Sequence, residues 1–415
     1  MNEVIEVNET KSMVRSPLWQ RGAGGISKAP NNRRTFLKAA SALTWIALNP
    51  DLAFAAGASR YDRLLVLLEL KGGNDGLNTV VPYADRDYYS LRPRLAIPRD
   101  QVLKLDERVG LNPALNGLMP LWNARELAIV QGVGYPQPNL SHFRSIDIWD
   151  TASRSDEYLT EGWLARAFAR APAPNEFVAD GVVLGSQEMG PLAGGSARTL
   201  ALDDPQRFLR QASLVTDAGR PRNAALDHIL KVERDVTQAA SRLSLDLQLK
   251  TAFPPGQLGN ALRTAAQVIG GKGQVAVVKI SLTGFDTHSN QLAAQTRLLQ
   301  EVGDGLAAFK SALTEVGKWD STLIMTYAEF GRRPKENQSG GTDHGTANAH
   351  FVLGGKVRGG LYGQPPQLSR LDANGNLAFA VDFRSVYATA LESWWGVPSA
   401  DVLGGRFAPL GLLRA

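Results

Sequence analysis

Leu64-Leu65-Val66-Leu67-Leu68-Glu69-Leu70, closed by the turn cluster Lys71-Gly72-Gly73-Asn74-Asp75-Gly76, is a near-continuous apolar run of strand length. A strand wetted on one side alternates apolar and polar residues. A run without alternation marks a strand covered on both faces, as in a parallel sheet layered between helices. Residues 127–130, 274–281, 321–327 and 350–353 repeat the pattern. Helical patterns lie between them. Leu299, Val302, Leu306, Phe309, Leu313 and Val316 recur every three or four residues, 113–122 is a shorter example, and 223–247 reads as another long helix. Strands alternating with helices predict an α/β fold, a mainly parallel sheet flanked by helices. Residues 151–225 fit neither pattern and are read as an insertion or cap.

Composition agrees. Of 415 residues, 44% are hydrophobic and 20% charged, a globular balance. The chain has no cysteine, which excludes disulfide scaffolds, thiolate metal sites and a Cys nucleophile. Histidine chemistry must draw on five residues, His142, His228, His288, His344 and His350.

The first 55 residues read as a leader. Arg33-Arg34-Thr35-Phe36-Leu37-Lys38 precedes an uncharged stretch from Ala39 to Leu48, and Ala53-Phe54-Ala55 has the small-x-small pattern of a cleavage site. Paired arginines before a mildly apolar segment indicate twin-arginine export, hence a periplasmic or secreted protein with the translocation machinery as a partner. The segment is about half the ~20 residues that span a bilayer, so no permanent membrane helix is expected. Residues 1–55 carry seven Lys/Arg against four Asp/Glu, which leaves +2 of the formal +5 for residues 56–415, read as a single domain. That small excess speaks against a nucleic-acid partner.

In open α/β sheets, sites form beyond the carboxyl ends of strands. Asn74-Asp75, Asp286-Thr287-His288, Glu329 and Asp343-His344 stand at strand ends, and His350 follows six residues after His344. Asp75, Asp286, His288, Asp343, His344 and His350 are six candidate ligands, enough for two divalent ions with zinc or manganese preferred. Ser141, at the start of a helix, is the candidate nucleophile, since helix N-termini favour phosphate and sulfate. Asn74 and Arg332 are candidate substrate contacts, because guanidinium matches oxyanion geometry.

Each residue also has a plainer reading. Ser141 can simply cap its helix. Asn74-Asp75-Gly76 can be only a tight turn. Asp286 and His288 can be a cap and a solvated first-turn side chain. Glu329 is either a partner of Arg332 or Arg333 or a further ligand. His142, beside Ser141, either helps position a leaving group or packs.

Four motifs resemble the domain-of-unknown-function 1501 family: Leu68-Glu69-Leu70-Lys71-Gly72-Gly73-Asn74-Asp75-Gly76-Leu77-Asn78, Gly284-Phe285-Asp286-Thr287-His288-Ser289-Asn290-Gln291, Glu329-Phe330-Gly331-Arg332 and Gly340-Gly341-Thr342-Asp343-His344-Gly345-Thr346. That family resembles the alkaline phosphatase-like superfamily of phosphatases, sulfatases and phosphoglycerate mutases. The resemblance implies an alkaline phosphatase-like fold, Asp75 as a metal ligand after the first strand and Asp343-His344 as the metal-binding pair. It further implies Asp286, His288 and His350 as the other ion's ligands, and Ser141 as nucleophile among the nearby hydroxyls Ser145 and Thr151. The Asp286-x-His288 spacing is shorter than the superfamily's Asp-x-x-x-His.

Two functions follow as expectations. One is an exported metal-dependent hydrolase of phosphate or sulfate esters, acting on a small molecule or glycan. The other is a non-catalytic envelope or glycan-binding protein that keeps the fold.

Overall fold

In the computed structural model, which describes residues 61–202, 243 and 245–414, the apolar run Leu64–Lys71 forms β1 at the middle of a nine-stranded sheet. The other strands are β2 (Leu127–Gly134), β3 (Ala179–Leu184), β4 (Thr199–Leu202), β5 (Val275–Thr283), β6 (Thr322–Tyr327), β9 (Asn348–Leu353), β10 (Gly360–Gly363) and β11 (Val381–Asp382). The order is β10-β2-β9-β6-β1-β5-β3-β4, with β11 also on β2. Strand β1 pairs in parallel with both β5 and β6, and only β9 runs antiparallel to its neighbours.

Successive side chains of β1 go to opposite faces, as the period of a strand requires. Val66 and Leu68 join one apolar layer; Leu65 and Leu67 join the other. Both layers are covered. On the Val66 face lie helices α3 (Gln257–Gly270) and α4 (Gln291–Glu315), together with the helical segment Pro113–Asn123. On the Leu65 face lie α1 (His142–Thr151), α2 (Trp163–Arg170) and α5 (Phe383–Ala388). Each fully buried Leu or Val contributes roughly 1.5–3 kcal/mol. Double coverage is the reason these strands lack polar alternation.

The α/β expectation, a mainly parallel sheet between helices, therefore holds. Residues 151–202 contribute α2, β3 and β4, so this part of the stretch read as a cap extends the sheet at its β4 edge. The leader, residues 203–225, His228 and most of the helix read at 223–247 lie outside the described residues; 245–247 are described and not helical. No helix of the described residues is long and apolar enough to cross a membrane.

Candidate metal centre

Three loops at the carboxyl ends of the central strands, plus one hairpin, deliver the site. The loop after β1 turns through Gly72, whose φ of +115° excludes most side chains. A Cβ there would also stand 2.4 Å from the Asp286 amide nitrogen, so glycine lets the loop after β5 close against the loop after β1. After β6 the chain passes Glu329 and enters a hairpin of β7 (Arg332–Glu336) and β8 (Thr342–His344), with Arg332 opposite His344. The Thr342 amide donates to the Thr287 carbonyl at 3.2 Å and docks the hairpin on the Asp286 loop. Helix α1 begins beside them with His142.

The donor atoms of His142, Asp286 and His344 lie within 4.8 Å of one another, the one such group of three among the described residues. His142 Nε2 is 3.4 Å from Asp286 Oδ2, and His344 Nε2 is 3.3 Å from Oδ1. His288 joins them, its Nε2 3.2 Å from Asp286 Oδ1 and 2.9 Å from His344 Nε2.

Each ring is held from behind. His142 Nδ1 faces Glu329 Oε1 at 2.9 Å, His344 Nδ1 faces the Leu140 carbonyl at 2.8 Å, and His288 Nδ1 faces Asp343 Oδ1 at 3.4 Å. Carbonyl and carboxylate oxygens only accept, so each ring has an acceptor behind Nδ1 and a second one, Asp286, at Nε2. His288 Nε2 and His344 Nε2 stand 2.9 Å apart, a separation that calls for a proton or a cation between them. Two imidazole nitrogens and one carboxylate, with His288 close to Asp286 and His344 and the outer nitrogens anchored on oxygen, are a donor set and outer shell that suit a divalent transition metal.

Electrostatics keep the carboxylates charged. Burial pushes the Asp286 carboxyl up, but Arg332, His344 and His142 outweigh it and hold it below the usual carboxylate range. Asp343 behaves alike, with burial opposed by Asn337 and His288. Desolvation lowers His344, which favours the neutral, ligating form.

Asp286, His288, Asp343 and His344 thus come together. Arg332 sits beneath them: its guanidinium donates to the carbonyls of Gly72, Gly73, Phe285 and Thr342 and to Asp286 at 2.6 Å. With its side chain fully buried, it orients Asp286 from behind.

Asp75 and Asn74 are bound elsewhere. Arg92, buried with it, grips Asp75 at 2.5 and 3.0 Å, Gln291 donates to it at 2.5 Å, and the amides of Leu77 and Asn78 bond Oδ1. Asn74 exchanges hydrogen bonds with Thr79. His350 lies in the apolar layer edge-on to Trp149, with neither ring nitrogen partnered, and burial lowers it to about 3.

Of the three hydroxyls near α1, Ser145 is buried against Tyr135 and the Glu329 carbonyl, and Thr151 bonds the Asp147 carbonyl. Ser141 is exposed at the N-cap and makes no side-chain cap bond. Sequence reasoning left His142 and Glu329 open between two roles. Histidine scarcity, with one of five next to the candidate nucleophile, was the available signal for His142.

The family described as "Protein of unknown function (DUF1501)" matches residues 127–403, about two thirds of the sequence. The chain belongs to the DUF1501 family. No curated protein matches this DUF1501 chain. Solved structures similar to it include a protein in the alkaline phosphatase superfamily from Vibrio parahaemolyticus, at 11% identity and TM-score 0.41, covering 84% of this chain and 70% of that one. A sulfatase from a Pseudoalteromonas species matches at 9% identity and TM-score 0.36, with 92% and 75% covered. The zinc complex of the C-terminal periplasmic domain of EptC from Escherichia coli matches at 10% identity and TM-score 0.36, with 72% and 74% covered.

Proposed function

We propose that this DUF1501 protein is an exported, metal-dependent hydrolase of phosphate or sulfate esters, carried by twin-arginine translocation to the periplasm or beyond. The observation that carries the reading is the convergence of His142, His288, His344 and Asp286, each imidazole fixed by an oxygen behind it. Asp75 is committed to Arg92 and Gln291 and His350 to the apolar layer. The proposal is therefore for one ion here rather than the two that six donors would allow, with zinc or manganese suiting the set.

A divalent ion in this set supplies Lewis acidity toward an ester oxygen. The chain supplies the rest. Ser141, exposed at the N-terminus of α1, offers its oxygen to phosphorus or sulfur, with the first-turn N–H groups and the helix dipole favouring the anion. Ser141 gives up its hydroxyl proton to solvent, its Oγ–P or Oγ–S bond forms as the bond to the alcohol oxygen breaks, the alcohol leaves with a proton from solvent, and water later cleaves the seryl ester to release phosphate or sulfate and restore the serine. Glu329 and Asp343 hold their imidazoles from behind, and Arg332 holds Asp286.

The test is metal analysis of protein purified from its export compartment, paired with turnover of p-nitrophenyl phosphate and sulfate. The expected result is one equivalent of transition metal, lost in Asp286→Ala and retained in Ser141→Ala, whose turnover falls by more than about 100-fold. Undiminished turnover in Ser141→Ala removes the nucleophile. Native protein with neither metal nor turnover replaces the hydrolase with an envelope or glycan-binding protein.

A further inference from the structure

A cleft of about 640 Å³ runs from His142 along α1 to Asp150, past Lys71, Ile146, Glu188 and Gly190. His142, Ile146 and Asp150 are four residues apart and so lie on one helix face. At 1.5 Å per residue, Asp150 stands about 12 Å along the helix from His142, too far to reach a bond breaking at the metal centre. Its carboxyl belongs to whatever binds the rest of the ligand.

The far end holds an unbalanced set of charges. Glu69, 1% exposed, accepts from Lys279 Nζ at 2.9 Å and from Ser281 at 2.6 Å through Oε2, while its Oε1 is buried with no partner. Lys279 spends its remaining protons on the Glu188 carbonyl and Ser281. Lys71 pairs with the Glu188 carboxylate at 2.5 Å. Asp150 is left with one long contact, Tyr327 OH at 3.4 Å. Three carboxyls thus face two ammonium groups. Gly190, at φ +54°, keeps the wall thin, since a Cβ there would stand 3.1 and 3.3 Å from the Asp150 oxygens and 2.8 Å from Lys279 Cε.

We propose that this end of the cleft is a subsite for a primary ammonium group of the ligand, held by Asp150, with the unpartnered buried oxygen of Glu69 adding negative charge behind it. An ammonium brings donors to a carboxyl that has one long contact and restores the missing positive charge. A hydroxyl leaves the charge unbalanced. A divalent ion would be repelled more strongly by Lys279.

Burial, then the charge of Glu69, pushes the Asp150 carboxyl well above the usual range; Lys279 and Tyr327 oppose this, and Glu188 adds to it. Tyr387 also feels Asp150 and Glu69. An ammonium against Asp150 acts in the same direction as Lys279 and favours its charged form. The subsite rests on the hydrolase reading for its purpose, giving an ester whose amine sits about 12 Å from the reacting end. Its occupancy by an amine does not depend on turnover.

The experiment is calorimetric titration of the full chain at pH 7 with 6-aminohexyl β-glucoside and with its N-acetylated counterpart. The expected result is that the free amine binds and the amide binds more than about tenfold more weakly. Asp150→Asn, close to the carboxyl in shape, should weaken the amine more than about tenfold and bring the two probes level. Glu188→Gln, at the exposed rim, should keep the free amine ahead of the amide. Equal affinity for the two probes, no amine binding, or a preference for the amine that persists in Asp150→Asn overturns the subsite. Loss of ester turnover with amine binding intact overturns only the hydrolase.

Discussion

Glu329 holds His142: its Oε1 lies 2.9 Å from His142 Nδ1 and accepts the Gly72 amide at the same distance. The carboxylate is pinned by the backbone of one loop and pins the ring of a helix, so the ring's free nitrogen is aimed before any ion arrives. Glu329→Gln replaces an obligate acceptor by an amide that can also donate. Metal affinity should fall by about 10–100-fold, the usual loss when an outer-shell carboxylate is altered. Competition against a chromogenic chelator reads this; an unchanged affinity would mean that the Glu329 contact does not aim the ring.

Asp75 and Arg92 form a different kind of pair, with side-chain exposures of 1% and 0%. Breaking a buried pair leaves the other charge unpaired, at roughly 3–5 kcal/mol. Arg92→Ala should lower unfolding stability in urea by about that much, while metal stoichiometry per folded chain stays the same. Loss of metal at full stability would instead make Asp75 a ligand.

His350 makes stability depend on acid. Burial lowers its folded value from 6.5 to about 3. The unfolded chain therefore binds a proton between these values that the folded chain refuses, so the contribution is complete above 6.5 and is lost as pH falls. At 1.36 kcal/mol per unit, about 2 kcal/mol goes between pH 6.5 and 5. His350→Phe should flatten that part of the stability curve, measured by denaturant melts at each pH. Parallel curves for the two proteins would place the imidazole in contact with water.

Gly72 is a backbone requirement. Gly72→Ala demands φ +115° of a residue with a Cβ and sets that atom 2.4 Å from the Asp286 amide. Overpacking of this kind costs roughly 1–3 kcal/mol. The two loops must part, so both thermal stability and metal content should drop. A variant that keeps both would show that the loops can separate without disturbing Asp286.

Much of this was legible beforehand. The runs that became β1, β2, β5, β6 and β9 are apolar because both sheet faces are covered, a property each run carries in itself. Asp286, His288 and Asp343-His344 were readable too, being polar clusters where such runs stop. Strands β3 and β4 were missed because Asp180-Gly181 interrupts the apolar run of Ala179–Leu184 and Thr199–Leu202, at the sheet edge, is only four residues long. Position and family resemblance group Asp75 and His350 with the ligands, and neither carries the partners each meets in the fold. Along β9 a one-residue step moves a side chain to the opposite face, and His350 goes toward Trp149 while Ala349 goes to the other layer. For Asp75 the deciding partner was Arg92, which no spacing rule links to it.

The sequence by itself determined the layered α/β architecture, because periodicity is local and burial on two faces writes itself into each strand. It also marked the loops where polar chemistry gathers. Tertiary structure decided which polar residues meet. Glu329 and Arg332 come from the segment after β6 and the Leu140 carbonyl from the loop before α1, and only their closure on the Asp286 loop brings His142, His344 and Asp286 within reach of one another. The same holds for Asp150, whose missing counter-charge appears only once Glu69, Lys279 and Glu188 are assembled around it. Convergence of this sort depends on directions and distances between distant segments, which a linear pattern of residue types does not encode.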